Sequence, residues 1–213
     1  MASVTEANRR LIGQARLAEG LTVAWMVIEL VVAVWAGVVA RSVALTTFGI
    51  DSALELFTAL VVLRQLILHR QRASDGELDA RERQGSRLVG LGLWGLIAYI
   101  VASTAWSLAS GSRPQPSTAG VALALAVLIV MPLLWRWRLA LADGLASPAL
   151  RADAACSLVC IYLSVTLLAG LVLNALLGWW WADPLAALAM IWWISGEAAE
   201  ALEAAKTSRR DDE

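Results

Sequence analysis

Long apolar blocks, separated by short stretches rich in charge, run the length of the 213-residue chain. A helix that crosses a bilayer needs about 20 mostly apolar residues. The pattern predicts six such helices, at about 18–40, 43–68, 87–109, 119–141, 148–177 and 183–203. Local chemistry supports two of the starts. Ser147-Pro148 puts a capping hydroxyl before a proline at the opening of the fifth helix, and Asp183-Pro184 offers the same to the sixth. Pro132 falls inside the fourth and predicts a kink. Trp179, Trp180 and Trp181 precede the sixth helix, and Trp135 and Trp137 lie at the far end of the fourth, where aromatic belts belong. The expected fold class is all-α, a polytopic membrane protein. Its parts are a cytoplasmic segment over 1–17, a six-helix transmembrane domain over 18–203 and a short cytoplasmic tail over 204–213.

Composition agrees with this. The chain is 59% hydrophobic, against about 45–50% for a soluble domain. The net charge of -1 says little about partners; where the charges sit says more. All of the 17 lysines and arginines except Arg41 and Arg113 fall on one side of a six-helix bundle. They sit in the N-terminal segment, the loops after helices two and four, and the tail. The positive-inside rule then puts both termini in the cytoplasm. No secretory signal is visible, because the polar N-terminal stretch leads into an apolar block too long for a signal peptide. The segment RQRASDGELDARERQGSR alternates in charge sign and reads as a solvated loop. His69, the only histidine, stands just before it and reads as an interfacial residue, with a weak second metal site as the other reading.

Two acidic residues break the apolar rule. In GIDSALEL, Asp51 and Glu55 lie one helical turn apart within the second block. Each ionised carboxylate at mid-bilayer costs roughly 2.5–3.5 kcal/mol on insertion scales. Like charges at i, i+4 also repel. A short internal repeat supplies a partner. At a constant offset of 105, SVALTTFGIDSALE (42–55) aligns with SPALRADAACSLVC (147–160), so that Asp51 meets Cys156 and Glu55 meets Cys160. Cys156 and Cys160 are the only cysteines and are likewise i, i+4. The copies stand three helices apart in order, with two helices between them, so helices two and five run antiparallel, as in an inverted repeat. If their faces meet, two carboxylates and two sulfurs converge. That set suits a tetrahedral divalent ion, with Zn²⁺ or Cd²⁺ preferred over Mg²⁺ or Ca²⁺. Taken alone, each cysteine reads as a small apolar residue, and the carboxylate pair also fits a proton path or an arginine partner. Glu29 in helix one is a third buried carboxylate, either a proton acceptor or a hydrogen-bonded helix contact. Asp153, near the cytoplasmic entrance, is a further candidate for proton coupling or for supporting the ligands, unless it serves only the helix dipole. Glu197, Glu200 and Glu203 follow the last apolar run and read as interfacial.

In this order on a six-helix chain, SVALTTFGIDSALE, SPALRADAACSLVC and GWWWADPLAALAM resemble the cation diffusion facilitator (cation efflux) family. The resemblance covers about residues 20–203. It implies a proton-coupled exporter of divalent metal ions in the cell membrane, usually a homodimer, with the ion held between helices two and five. Carried over by position, the ligands are Asp51, Glu55, Cys156 and Cys160. The implied partners are the metal ion, protons, the bilayer and a second copy of the chain, with no organic cofactor and no nucleic acid. GLGLWG at 90–95 offers small residues for close packing in such a dimer. Three departures stand out. The chain resembles the short branch without the soluble cytoplasmic domain, Glu and two Cys replace usual ligands, and Phe48 stands where the family often has Asp. A rival reading follows from them: a non-transporting partner subunit or metal sensor of the same descent. A membrane enzyme has little support, since no nucleophile-base pair, phosphate loop or hydrolytic metal motif is present in the sequence.

Overall fold

The computed structural model describes the backbone of residues 2–68, 75–145 and 148–207, with side chains over 10–60, 63–64, 87–145, 150–151, 154 and 157–203. His69 and Ser147 lie outside the described residues. Six helices follow in order: α1 (Ala2–Ala40), α2 (Val43–Leu68), α3 (Asp75–Ser110), α4 (Thr118–Leu145), α5 (Pro148–Leu177) and α6 (Ala182–Thr207). All six are long and apolar enough to cross a membrane.

Two helices exceed their apolar blocks. α1 starts at Ala2 and α3 at Asp75, so much of the segment expected to be a loop is helical. Apart from Asp79, residues 77–84 are good helix formers, and Glu77 and Asp79 precede Arg81 and Arg83 by four positions in the sequence, a spacing that favours a helix. Hydropathy registers the membrane span of a helix and misses its polar extension. α4 runs unbroken through Pro132.

The helices pair as α1 with α2, α3 with α6, and α4 with α5. Further contacts join α1 to α4 and α5 to α6, while α2 also meets α3, α5 and α6. α2 is therefore central. Of its span 56% is buried, against 28–39% for the other five. The core is mostly apolar, with Leu45, Phe48, Ile100, Met131, Leu163, Leu167 and Met190 fully buried, but it also encloses Glu19, Glu29, Asp51, Glu55 and Arg138. Trp35, Trp106, Leu176 and Trp192 point outward. Apolar exposure over all six spans fits a lipid-facing surface. Two of the small residues in GLGLWG are used inside the chain. A Cβ on Gly90 would meet Leu202 at 2.8 Å, and one on Gly92 would meet Leu54 at 2.8 Å.

The face of the bundle opposite the termini is tied together by hydrogen bonds. α1 ends in a Schellman motif: Ser42 N–H bonds to Gly37 O at 2.9 Å across Arg41, whose φ of 55° is left-handed. Asp183 does not cap its own helix. Its carboxylate accepts from Ser42 Oγ and from the amide of Val43 at 2.8 Å, so it caps α2 from 140 residues away. Those amides start α2 and have no partner within the helix, and a carboxylate satisfies them and complements the dipole. Asn174 donates to Pro114 O at 3.0 Å, and Gln115 N–H to Ala40 O at 2.8 Å.

Candidate metal site

The site begins with a close helix contact. A Cβ on Gly49 would lie 2.7 Å from Val34 Cγ2 and 2.9 Å from Val34 N; one on Gly37 would lie 2.7 Å from Thr46 N. Only glycine lets the α1 and α2 backbones approach this closely. One turn beyond Gly49, Ser52 reaches across and its hydroxyl lies 2.7 Å from Glu29 Oε1, within donating distance. The same hydroxyl lies 2.9 Å from its own helix at Phe48 O. From α5, the Cys160 thiol approaches the same Oε1 at 3.3 Å. Glu55, one turn along α2 from Asp51, completes the group. Ligand atoms of Glu29, Glu55 and Cys160 all lie within 4.8 Å of one another, and all three residues are buried.

These side chains are poorly satisfied. Glu29 Oε2, Asp51 Oδ1 and both Glu55 carboxylate oxygens are buried without a hydrogen-bond partner. Among the described residues no ion pair reaches Glu29, Asp51 or Glu55. Unpaired polar groups in a dry interior are costly, and charges more so. A divalent cation would satisfy these oxygens and offset their charge together. The spacing suits one: with Zn–O and Zn–S bonds of about 2.0–2.3 Å, neighbouring ligand atoms of a tetrahedral site lie about 3.3–3.7 Å apart. The Cys160–Glu29 separation of 3.3 Å already falls there.

The profile of the cation efflux transmembrane domain matches residues 21–205. The chain belongs to the cation efflux family. Members of this family are secondary active transporters of cations, not enzymes. No match appears among curated proteins.

Of the expected ligands of this cation efflux protein, Glu55 and Cys160 are brought together. Asp51 is buried on the same helix and acts electrostatically on Glu55 and Glu29, but falls outside the group of three. The side chains of Cys156 and Asp153 lie outside the described residues. Glu29, read as a proton acceptor or helix contact, stands within the group instead. Two other residues depart from the sequence reading. Glu197, expected at the interface, is half-buried on α6 and acts electrostatically on Asp51 and Glu55. Arg138, counted among loop charges, is fully buried on α4. Its Nε bonds to Glu19 of α1 at 2.9 Å and its Nη1 to Ser157 of α5 at 2.8 Å. Ser157 is one turn from Cys160, so this ion pair adjoins the site from below, on the side of the chain termini. The sequence signal for it was the Glu19 carboxylate just inside the first apolar block.

Proposed function

We propose that the chain exports divalent metal ions from the cytoplasm in exchange for protons, with Zn²⁺ the preferred ion and Cd²⁺ next. The observation that carries this is the convergence of Glu55 on α2 and Cys160 on α5, buried, with carboxylate oxygens lacking partners. Carboxylates and thiolates give a mixed O/S set, which favours borderline and soft ions over Mg²⁺ or Ca²⁺. Asp51 and Cys156, each four residues before its partner, complete the ligand set on this reading. Helices α2 and α5 then act as related halves of an inverted repeat, with both termini in the cytoplasm of a cell-membrane homodimer.

Coupling to protons follows from the ligands. A thiol and a carboxylic acid must lose protons to bind metal, so metal entry releases protons. Protons arriving from outside compete for the same atoms and release the ion. The groups titrate as a set because they share one space. Zinc uptake into inside-out membrane vesicles tests this. Wild type should accumulate Zn²⁺, and Asp51→Ala with Cys156→Ala should not. Equal uptake by the two would defeat the ligand assignment. Metal binding without flux in proteoliposomes would favour the partner-subunit or sensor reading.

A further inference from the structure

We infer that Glu29 of α1 is itself a ligand of the transported ion, aimed by Ser52, so that three helices rather than two hold the cargo. This rests on the proposed metal transport and adds to it a determinant of ion choice. Glu29 Oε1 is already engaged, with the Ser52 hydroxyl at 2.7 Å and the Cys160 thiol at 3.3 Å. Its second oxygen, Oε2, is buried without a well-formed hydrogen bond, the indole of Trp25 one turn earlier being close by and equally unpaired. A carboxylate anchored through one oxygen and open at the other is poised to ligate, in the way that outer hydrogen bonds orient metal ligands.

A plain helix contact would not account for this. Ser52 could bond to the Phe48 carbonyl alone, which it already approaches at 2.9 Å. A contact residue would also gain nothing from sitting among two other acids, Asp51 and Glu55, in an apolar interior. The position is enforced as well. Backbone contact at Gly49 prevents α2 from shifting closer or rolling without striking Val34, which holds Ser52 opposite Glu29.

The added oxygen ligand changes the chemistry of the site. Added to the proposed ligands Asp51, Glu55, Cys156 and Cys160, Glu29 shifts the donor balance from two carboxylates and two sulfurs to three and two. Softer ions value the sulfur and gain less from a third carboxylate. Glu29 therefore biases the site toward Zn²⁺ over Cd²⁺.

The test uses the purified full chain with Co²⁺ and Zn²⁺ as probes. Glu29→Gln should weaken Zn²⁺ binding tenfold or more in a chelator competition, and raise Cd²⁺ affinity relative to Zn²⁺ severalfold. The ligand-field bands of bound Co²⁺ should shift while the thiolate-to-cobalt charge-transfer band persists. The metal-free midpoint of unfolding should hold or rise, since a buried acid has been neutralised. Ser52→Ala should weaken binding in the same direction, with Ser52→Thr restoring it. If Glu29→Gln fails to fold, Glu29→Asp keeps the charge, shortens the reach and should still shift the Co²⁺ bands. Unchanged affinity and spectrum in whichever Glu29 variant folds would overturn the inference. Failure of the function reading looks different: Glu55→Gln and Cys160→Ala would then bind metal as wild type does.

Discussion

Replacing Gly49 by alanine tests how the site is assembled. The added methyl would lie 2.7 Å from Val34 Cγ2 and 2.9 Å from Val34 N. Ordinary contact begins near 3.4 Å, and one of the struck atoms is backbone, so α1 and α2 must part by about 0.7 Å. Transmitted one turn along, that opens the 2.7 Å Ser52–Glu29 hydrogen bond to about 3.4 Å, where little of it remains. Overpacking costs about 1–3 kcal/mol. Losing a hydrogen bond to a charged group costs about 1.5–3 kcal/mol. The sum is about 2.5–6 kcal/mol, and at about 2–4 °C per kcal/mol for a chain of this size the midpoint should fall by about 5–24 °C. Thermal unfolding of the detergent-purified protein measures this, and a Zn²⁺ competition titration run beside it should show weaker binding. Gly95→Ala on α3 is the control, because nothing lies within 4 Å of its added methyl. Helix propensity predicts that it stabilises by about 0.5–1 kcal/mol. Equal midpoints and equal Zn²⁺ affinities for Gly49→Ala and wild type would refute the role given to this helix contact.

Three further outcomes follow from the structure. Arg138→Met removes the cation bonded to the buried Glu19 carboxylate; it should cost about 3–5 kcal/mol, and adding Glu19→Gln should recover most of that in a double-mutant cycle. Asp183→Ala deprives Ser42, Val43 and Ala44 of a shared acceptor; about 2–4 kcal/mol should be lost, and hydrogen exchange should speed at the Val43 and Ala44 amides before the rest of α2. Acid should weaken Zn²⁺ binding, the logarithm of Kd rising by one or more for each pH unit lowered, because at least one proton leaves per ion bound; a pH-independent Kd would contradict ligation by a thiol and carboxylates.

Much of the fold was legible because membrane spans announce themselves by apolar length, and each of the six predicted blocks lies within one observed helix. The polar run before Arg87 was misread for the same reason: hydropathy does not distinguish a charged helix from a charged loop. Asp183 was misread because Asp-Pro carries a local capping signature, whereas its partners lie 140 residues away. Arg138 and Glu197 stood near the ends of apolar runs, where charges normally reach solvent, and only tertiary neighbours decide that Arg138 is buried. At the site, the i, i+4 spacing and the repeat led to Glu55 and Cys160 as partners. Glu29 was flagged as costly, but its place beside them depends on Gly49 and Ser52 on another helix, which no local pattern reveals.

On the proposed function, the buried acid–thiol group carries a metal ion against protons. Purified protein in proteoliposomes, with a zinc dye and a pH dye on the same side, tests it in one trace. Zn²⁺ entry should be accompanied by proton movement in the opposite direction, with both signals reduced at least tenfold in Glu55→Gln and in Cys160→Ala. Undiminished zinc flux in those two variants, or zinc flux with no proton signal in wild type, would contradict it.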